Sequence, residues 1–230
     1  PRTDKISPER TAVMHEFSVS TVAAVLDFAA LKPNQTSADI DSAAALCGQL
    51  SIGCLCVQPN DVCRAARLLH DQKTVVASVV GFPHGANTTV IKVHEARIAI
   101  EDGARELDMV LALQALREGD HTTVHDDIAA VVNEGRASDV SVKVILETCY
   151  LNEEEIIHAC QIAEFAGAMF VKTSTGFGPR GATPEVVRIM LNTVNGRIGV
   201  KASGGIRTWN DCVGYLKMGC TRIGVGDPRR

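Results

Sequence analysis

Short runs of apolar and β-branched residues alternate with longer segments of helical periodicity along most of the chain. Runs of this length, bounded by glycine, proline and polar residues, are typical of buried strands. The pattern predicts eight strands: Ala23–Asp27, Gly53–Val57, Val75–Val80, Glu106–Val110, Val142–Leu146, Met169–Lys172, Gly199–Lys201 and Thr221–Gly224. Positions near the predicted strand ends are spaced 23 to 38 residues apart, which leaves room for a helix and two loops each time.

The segments between the predicted strands carry helix-boundary signals. Thr183 followed by Pro184, and Asn152 followed by three glutamates, are typical of helix N-termini. Helices are predicted to end near four glycines that can take a left-handed conformation: Gly103, Gly135, Gly167 and Gly196. Eight strand–helix units favour the α/β class and a (β/α)8 TIM barrel. The competing doubly wound sheet is disfavoured because no G-x-G-x-x-G follows the first strand.

The chain shows no linker, repeat or break in composition, so residues 1–230 are predicted to form a single (β/α)8 barrel domain. Residues 1–15 precede the first predicted strand and are expected to form a leading helix or a loose arm. The sequence stops at Arg230, soon after the last predicted strand, so the last helix is expected to be truncated.

Composition narrows the classes of partner. The net charge is −4 and the pI is about 6.0, which argues against nucleic acid as a partner. No signal segment and no membrane-spanning run is recognised, so a cytoplasmic protein without membrane contacts is expected. The eight cysteines include no C-x-x-C pair and are interpreted as reduced thiols, most of them small buried apolar side chains.

Two lysines carry the candidate chemistry. Lys172 ends the apolar run AMFV at 168–171 and precedes the polar sequence TSTG. Lys201 follows IGV and precedes ASGG, 29 residues later. A buried ammonium is unfavourable unless it is paired or has lost its proton, and two adjacent lysines are expected to lower each other's pKa. This arrangement is typical of an amine nucleophile that works near neutral pH.

Active sites of such barrels lie at the C-terminal ends of the strands, where Asp27, Cys56 and Asp108 are also predicted. Asp108, set among apolar neighbours, is expected to stay ionised beside the two lysines and to transfer protons. The alternative for Asp108 is a structural ion pair. A pair of histidines, His121 and His125, has the spacing of metal ligands, but a solvated helix face is favoured. With two lysines in place, no metal or organic cofactor is required.

Glycine-rich turns follow three successive predicted strands: Gly176-Phe177-Gly178, Gly204-Gly205 and Gly224-Val225-Gly226. The last strands of many barrels bind phosphate through the backbone N–H groups of such turns. Arg207 adds a positive charge nearby. The pattern predicts a small anionic substrate.

Seven stretches then occur in a characteristic order: LKP at 31–33, CVQP at 56–59, GFP at 81–83, ELDMV at 106–110, KVILET at 143–148, FVKTSTGFG at 170–178 and VKASGGIR at 200–207. Together they resemble the deoxyribose-phosphate aldolase family, class I aldolases built on a (β/α)8 barrel. The resemblance covers about Asp27 to Gly224. It implies reversible cleavage of 2-deoxy-D-ribose 5-phosphate to acetaldehyde and D-glyceraldehyde 3-phosphate, a step of deoxyribonucleotide catabolism.

The resemblance also implies roles for individual residues. Lys172 matches the lysine that forms the Schiff base, and Lys201 the lysine that lowers its pKa. Asp108 matches the proton-relay acid, and Asp27 an acid that positions the lysines. Substrate and phosphate contacts are expected from Cys56, Thr175, Gly176, Gly204, Gly205, Arg207 and Gly224. Lys143 is interpreted as lying at the start of its strand, away from the reaction.

Two departures from the family pattern leave the substrate open. Asp27-Phe28-Ala29 replaces the family's Asp-x-Thr, and Gly226-Asp227 replaces two serines, so that Asp227 would face the phosphate. One alternative keeps the chemistry but acts on non-phosphorylated aldehydes or sugars. The other is a non-catalytic barrel that binds a sugar phosphate. A homo-oligomer, for example a dimer, is also compatible with the sequence.

Overall fold

Eight parallel strands run in chain order around a closed barrel in the computed structural model, which describes residues 17–229. The strands are β1 (Leu26–Ala30), β2 (Cys54–Val57), β3 (Val75–Val80), β4 (Glu106–Val110), β5 (Ser141–Ile145), β6 (Phe170–Lys172), β7 (Gly199–Ser203) and β8 (Arg222–Val225). The barrel closes where β1 pairs with β8, with Asp27 opposite Gly224. The predicted TIM barrel is confirmed.

Helices connect the strands and cover the outside of the barrel. Within residues 17–229 they are α1 (Val19–Ala23), α2 (Ser37–Leu50), α3 (Val62–Leu68), α4 (Thr89–Glu101), α5 (Leu113–Arg117), α6 (His121–Arg136), α7 (Glu153–Phe165), α8 (Pro184–Val194) and α9 (Trp209–Met218), with 3₁₀ turns at Pro59–Asp61 and Thr148–Tyr150. Thr183 caps α8, and Asn152 forms a capping box with Glu155 at the start of α7, as predicted.

Three of the four predicted helix-ending glycines have positive φ angles: Gly103, Gly167 and Gly196. A helix also ends near Gly135, because α6 ends at Arg136, but Gly135 itself is helical and the left-handed conformation predicted for it is wrong. A Cβ at Gly135 would come within 2.7 Å of the Val140 carbonyl oxygen, so the glycine allows α6 to approach the chain leading into β5 closely. Asp139, with φ of 55°, takes the left-handed conformation after α6 instead.

The predicted bounds of β3 and β4 are confirmed, whereas β1 begins three residues later than predicted. Val19–Ala23 form a short helix because the Ser18 hydroxyl accepts a hydrogen bond from the Thr21 N–H and caps its first turn. Residues 226–229 form a turn after β8, and no helix follows there within the described chain. The expected arm at residues 1–15 lies outside the described residues.

The barrel interior is divided between apolar and charged side chains. On the β2–β3 side it holds a small apolar cluster that includes Cys56, Ala77 and Val79. Aspartate, glutamate, lysine and arginine side chains fill the rest of the interior from the other strands. The main apolar core lies between the strands and the surrounding helices. In the part of the chain described, no helix is both long and apolar enough to cross a membrane.

Candidate active site

Lys172 and Lys201 are directly opposite each other in the pairing of β6 with β7. Both Nζ atoms lie 2.7 Å from the same oxygen, Oδ2 of Asp108, which projects from the middle of β4. All three side chains are buried. The structure therefore brings the two predicted amines and the predicted acid into direct contact.

The contacts extend beyond these three residues. The Lys201 ammonium also donates to Asp27, and the Lys143 Nζ lies 2.8 Å from Asp108 Oδ1. Lys143 further contacts Glu106 Oε2 at 2.5 Å and Asp27 Oδ2 at 3.5 Å. We call the seven joined charged residues the barrel charge cluster: Asp27, Glu106, Asp108, Lys143, Lys172, Lys201 and Arg222.

Arg222 occupies the N-terminal end of β8, below the lysines. Its guanidinium donates to both Glu106 oxygens at 3.0 and 2.8 Å and to Asp27 Oδ1 at 2.8 Å. The same group lies 6.0 Å from the ring centroid of Phe170, within the range of a cation–π contact. These contacts fix the two carboxylates that hold Lys143 and Lys201 from below.

The cluster contains four cationic side chains and three carboxylates, so it carries one excess positive charge when every group is ionised. Lys143, Lys201 and Arg222 each contact at least two carboxylates. Lys172 contacts one, and shares its oxygen with Lys201. Lys172 is thus the cation that the carboxylates compensate least.

The electrostatics keep the surrounding groups charged. Burial raises the pKa of Asp27, but Lys201, Lys143 and Arg222 outweigh it and lower the pKa to about 2. The pKa of Asp108 also lies well below its usual value, because three lysines overcome the effect of burial. Burial opposes the charge of Lys201, yet Asp108 and Asp27 raise its pKa. The prediction that the paired lysines lower each other's pKa is therefore wrong for Lys201.

The positions along the strands also need correction. Among the polar residues predicted at strand ends, Lys172 alone ends its strand; Asp27, Cys56, Asp108 and Lys201 lie inside theirs. Charges are tolerated at this depth because each carboxylate is paired with at least two cations. These polar residues accordingly lie at or below the floor of the site rather than at its rim.

A cavity of about 730 Å³ opens above this floor at the C-terminal ends of the strands. Lys172, Lys201 and Asp27 face it from below, whereas Asp108 lies beneath and does not line it. All seven residues predicted to bind substrate or phosphate line this one cavity: Cys56, Thr175, Gly176, Gly204, Gly205, Arg207 and Gly224. Burial, reinforced by the charge of Asp108, raises the pKa of the Cys56 thiol to about 11, so this thiol stays protonated at neutral pH.

The glycines have separate structural roles at the cavity. Gly176, Gly204 and Gly205 have positive φ angles between 80° and 89°, a conformation that other residues rarely adopt. A Cβ at Gly224 would lie 2.7 Å from Ser203 Cβ and 3.4 Å from Lys201 Cε. Gly224 therefore leaves the space in which the Lys201 side chain extends.

Within the described chain, three further cations line the cavity: Lys32, Arg207 and Arg229. Arg229 donates from Nε and Nη2 to the two carboxylate oxygens of Asp227, each at 2.8 Å, and its backbone N–H donates to Oδ1 at 3.1 Å. Asp227 lines the cavity, in keeping with its expected place near the phosphate, but Arg229 compensates the charge of its carboxylate.

Glu147 holds the loop that follows Lys172. Glu147 lies two residues after Ile145, the last residue of β5, and has a left-handed backbone, with φ of 50°. Its buried carboxylate accepts hydrogen bonds from the Thr175 hydroxyl and from the Thr175 N–H at 3.2 Å. The Thr175 hydroxyl accepts in turn from the Phe177 N–H at 3.0 Å. Glu147 thereby fixes the turn that carries Gly176.

The remaining sequence candidates lie elsewhere. His121 and His125 are on α6, where His121 stacks on His158 and His125 packs against Phe165 and pairs with Asp126. All eight cysteines have free thiols, as predicted. One group of metal-ligand type is present among residues 17–229: Asp27, Cys54 and Glu106. Lys143 and Arg222 occupy the coordinating oxygens of that group.

Sequence reasoning missed Lys143 and Arg222. Lys143 was interpreted as lying at the start of its strand, but it is the third of the five residues of β5, and its Nζ contacts Asp108. The signal that could have found it is the register, which places Lys143 directly opposite Asp108. Arg222 is a charged residue at the start of an otherwise apolar strand, a pattern that indicates a buried partner.

Comparison with known proteins agrees with this geometry. The sequence pattern of the DeoC/LacD family aldolase matches residues 21–220. The deoxyribose-phosphate aldolase of Thermococcus gammatolerans is 48% identical over 206 residues, covering 89% of this chain and 92% of that protein. The deoxyribose-phosphate aldolase of Carboxydothermus hydrogenoformans is 46% identical over 210 residues, covering 90% and 92%.

A solved structure gives the same result at the level of the fold. The deoxyribose phosphate aldolase of Aeropyrum pernix, described as a unique tetrameric structure, superposes with a TM-score of 0.88 at 27% identity, over 97% of this chain and 96% of that one. The matched family pattern and the two close relatives each span most of the barrel, including the strands that carry both cavity lysines. The chain belongs to the DeoC/LacD family of aldolases.

Proposed function

We propose that this aldolase cleaves 2-deoxy-D-ribose 5-phosphate to acetaldehyde and D-glyceraldehyde 3-phosphate through a Schiff base on Lys172. The observation that carries the proposal is the position of Lys172, at the floor of the cavity and in contact with a single carboxylate that it shares with Lys201. Loss of one proton from Lys172 leaves three cations and three carboxylates in the cluster. An uncharged amine is what a carbonyl carbon requires as a nucleophile.

The chemistry follows from that amine. Lys172 Nζ attacks C1 of the open-chain sugar to give a carbinolamine, which loses water to form an iminium ion. Removal of the proton from the C3 hydroxyl breaks the C2–C3 bond, and the electron pair moves into the iminium to give an enamine. D-Glyceraldehyde 3-phosphate leaves. Protonation of the enamine at C2 and hydrolysis release acetaldehyde and restore the amine.

The neighbouring charges support the proton transfers. Lys201 faces the cavity as an ammonium, so it can hydrogen-bond the C1 oxygen and assist the loss of water. Asp108 touches both amines but not the cavity, which suits a carboxylate that orients ammonium groups and conducts protons between them. Asp27 fixes Lys201 from the opposite side. We assign Asp27 and Asp108 positioning and relay roles on this basis.

The outer part of the cavity provides the phosphate site in this proposal. Backbone N–H groups of the turns at 204–205 and 176–177, together with Arg207, supply donors and positive charge. Lys32 and Arg229 add cations that the sequence comparison did not assign. Because Arg229 compensates Asp227, the carboxylate there does not oppose a phosphate as strongly as an isolated one would.

The test is trapping and turnover with a matched control. Incubation with acetaldehyde and borohydride is expected to leave a reduced adduct on Lys172, found by peptide mass, and Lys172→Met is expected to abolish it. Lys217→Met, a substitution in α9 outside the cavity, is the control. A folded wild-type protein without an adduct would contradict the Schiff-base assignment.

Substrate preference is measured separately by comparing kcat/KM for deoxyribose with and without the 5-phosphate. A strong preference for the phosphate is expected from the cations at the rim. Equal values would favour the alternative substrates, non-phosphorylated aldehydes or sugars. The observation in favour of these substrates is the replacement of the family's two serines by Gly226 and Asp227.

We also propose that the chain forms homo-oligomers in the cytoplasm. Large apolar side chains are exposed on the helical surface, among them Val90 at 76% and Phe165 at 84%, and association would cover them. The eight free thiols fit a reducing compartment. Native mass of the purified protein tests the assembly: a monomer at all concentrations would contradict it, and the expected dimer or a tetramer is read from the same measurement.

A further inference from the structure

We propose that Arg222 is a positioning residue that sets the pH range in which Lys172 reacts, by supplying the cation that leaves the barrel charge cluster with one excess positive charge. The inference rests on the proposed role of Lys172 as the Schiff-base amine. Arg222 touches neither the cavity nor Lys172 itself. Its effect must therefore pass through the carboxylates that it holds.

The contacts trace a continuous path. Arg222 Nε donates to Asp27 Oδ1 at 2.8 Å, and Asp27 Oδ2 accepts from Lys201. Lys201 and Lys172 then share Asp108 Oδ2, each at 2.7 Å. A second path runs from Arg222 through Glu106 to Lys143 and on to Asp108. Every atom on both paths belongs to a buried or largely buried side chain.

The groups that face Lys172 come from several strands. Asp108 on β4, Lys143 on β5, Lys201 on β7 and the Cys56 thiol on β2 surround it or act on it electrostatically. The more distant members of the cluster are Asp27, Glu106 and Arg222. Three carboxylates oppose four cations, so the three anions cannot compensate all of them. Without Arg222 the three carboxylates would be matched in charge by the three lysines, so the charged form of Lys172 would be favoured more than in the wild type.

The size of the effect follows from the register. Arg222 pairs with Lys201 and Lys201 with Lys172, so the Arg222 and Lys172 backbones are two strand spacings, about 10 Å, apart. For side-chain charges separated by a distance of this order, an effective dielectric of about 20 gives a change of about tenfold in the proton-binding constant. The reacting form of Lys172 should thus appear about one pH unit higher when the Arg222 charge is removed.

The experiment measures the rate at which acetaldehyde and cyanoborohydride label Lys172 as a function of pH, in the wild type and in three variants that together give three different cluster charges. Arg222→Gln removes the excess cation and is expected to shift the midpoint about one unit to higher pH. Glu106→Gln removes an anion and is expected to shift it to lower pH. The double variant restores one excess positive charge, so its midpoint should return close to that of the wild type.

A further variant, Arg222→Lys, distinguishes an electrostatic effect of Arg222 from damage to the fold. Arg222→Lys keeps the charge while losing the two-pronged contact with Glu106, so it should lower stability without moving the midpoint. Lower labelling at an unchanged midpoint in both Arg222→Gln and Glu106→Gln would overturn the proposal. If Arg222→Gln does not fold, Glu106→Gln and the double variant still test the proposal. A midpoint at lower pH in Glu106→Gln and a midpoint near that of the wild type in the double variant would support it. An unchanged or higher midpoint in Glu106→Gln would overturn it. Wild-type protein that is never labelled would refute the proposed function instead.

Discussion

Lys92 and the lysines of the barrel charge cluster are all buried, but the charges around them are balanced differently. Lys92 on α4 is fully buried outside the barrel, 2.5 Å from Asp127 Oδ2 and 2.9 Å from the Val110 carbonyl oxygen. That pair is balanced, one cation to one carboxylate. Lys172 lies in a cluster of four cations and three carboxylates. Burial alone therefore does not distinguish Lys92 from Lys172, the proposed Schiff-base amine, whereas the balance of charge around each lysine does.

The largest effect is expected on turnover, which should depend on Lys172 but not on Lys92. Lys172→Met should reduce retro-aldol turnover below detection, because no other side chain of the cluster faces the cavity with so few carboxylate contacts. Stability should change by no more than about 1 kcal/mol, since Asp108 keeps Lys143 and Lys201 as partners. Turnover assays and urea unfolding measure the two quantities. Near-normal turnover in Lys172→Met would contradict the proposed role of Lys172 and with it the comparison with Lys92.

The reverse result is expected for Lys92→Met. Asp127 would keep one hydrogen bond, from the Thr89 hydroxyl at 2.9 Å, and would otherwise be a buried charge without a cation. Breaking such a pair costs about 3–5 kcal/mol in the free energy of unfolding. Activity per folded molecule at 25 °C should remain. Adding Asp127→Asn in the same chain should recover part of the loss, and no recovery would mean that packing, rather than charge, explains the effect.

Acid sharpens the comparison further. The folded-state pKa of Asp27 is about 2, below its ordinary value of 3.8. A lowered pKa contributes stability that is present above about pH 4 and is lost as the pH falls towards 2, here about 2–3 kcal/mol. Chemical denaturation at pH 5 and pH 2.5 should show this drop. It should be smaller in Asp27→Asn, and an equal drop in both proteins would assign the acid sensitivity to other carboxylates.

The smallest effect is expected at the rim of the cavity, which contains neither the buried Lys92–Asp127 pair nor the barrel charge cluster. A Cβ at Gly226 would meet nothing within 4 Å, so Gly226→Ser can place a hydroxyl there without moving its neighbours. One added hydrogen bond contributes about 0.5–1.5 kcal/mol, so the preference for the 5-phosphate should rise by up to about tenfold. Gly226→Ala is the matched control. A rise in the alanine variant as well would exclude the hydroxyl as the cause.

The sequence predicted the fold well because its signals are local. Apolar runs gave the bounds of β3 and β4, and the capping residues Thr183 and Asn152 gave two helix starts. The first strand was misplaced because the apolar stretch 19–25 contains a short helix, and a side-chain hydrogen bond from Ser18 decides where that helix begins. Apolar character alone does not distinguish one turn of helix from a strand.

The site was predicted only in part, for a different reason. Lys172, Lys201 and Asp108 were found because strand ends share one edge of a barrel. Lys143 was not found because its place within the strand was misjudged, whereas the register puts it directly opposite Asp108. Arg222 was not found because its partners, Asp27 and Glu106, lie more than a hundred residues away in the sequence. The Arg229–Asp227 pair was missed likewise, since the charge of one aspartate was considered without its neighbour two residues later.

The position of Asp108 beneath the cavity floor has a consequence for inhibitor design. A ligand in the cavity meets two amines of the cluster, while the carboxylate that joins them stays out of reach and Asp27 is already paired with Lys201 and Arg222. A basic head group would normally pair with an active-site aspartate, but among residues 17–229 each carboxylate that lines the cavity already has a cationic partner. A selective compound should instead carry two groups: an electrophilic carbonyl that reaches Lys172, and an anionic group placed to contact Arg207 in the outer part of the same cavity.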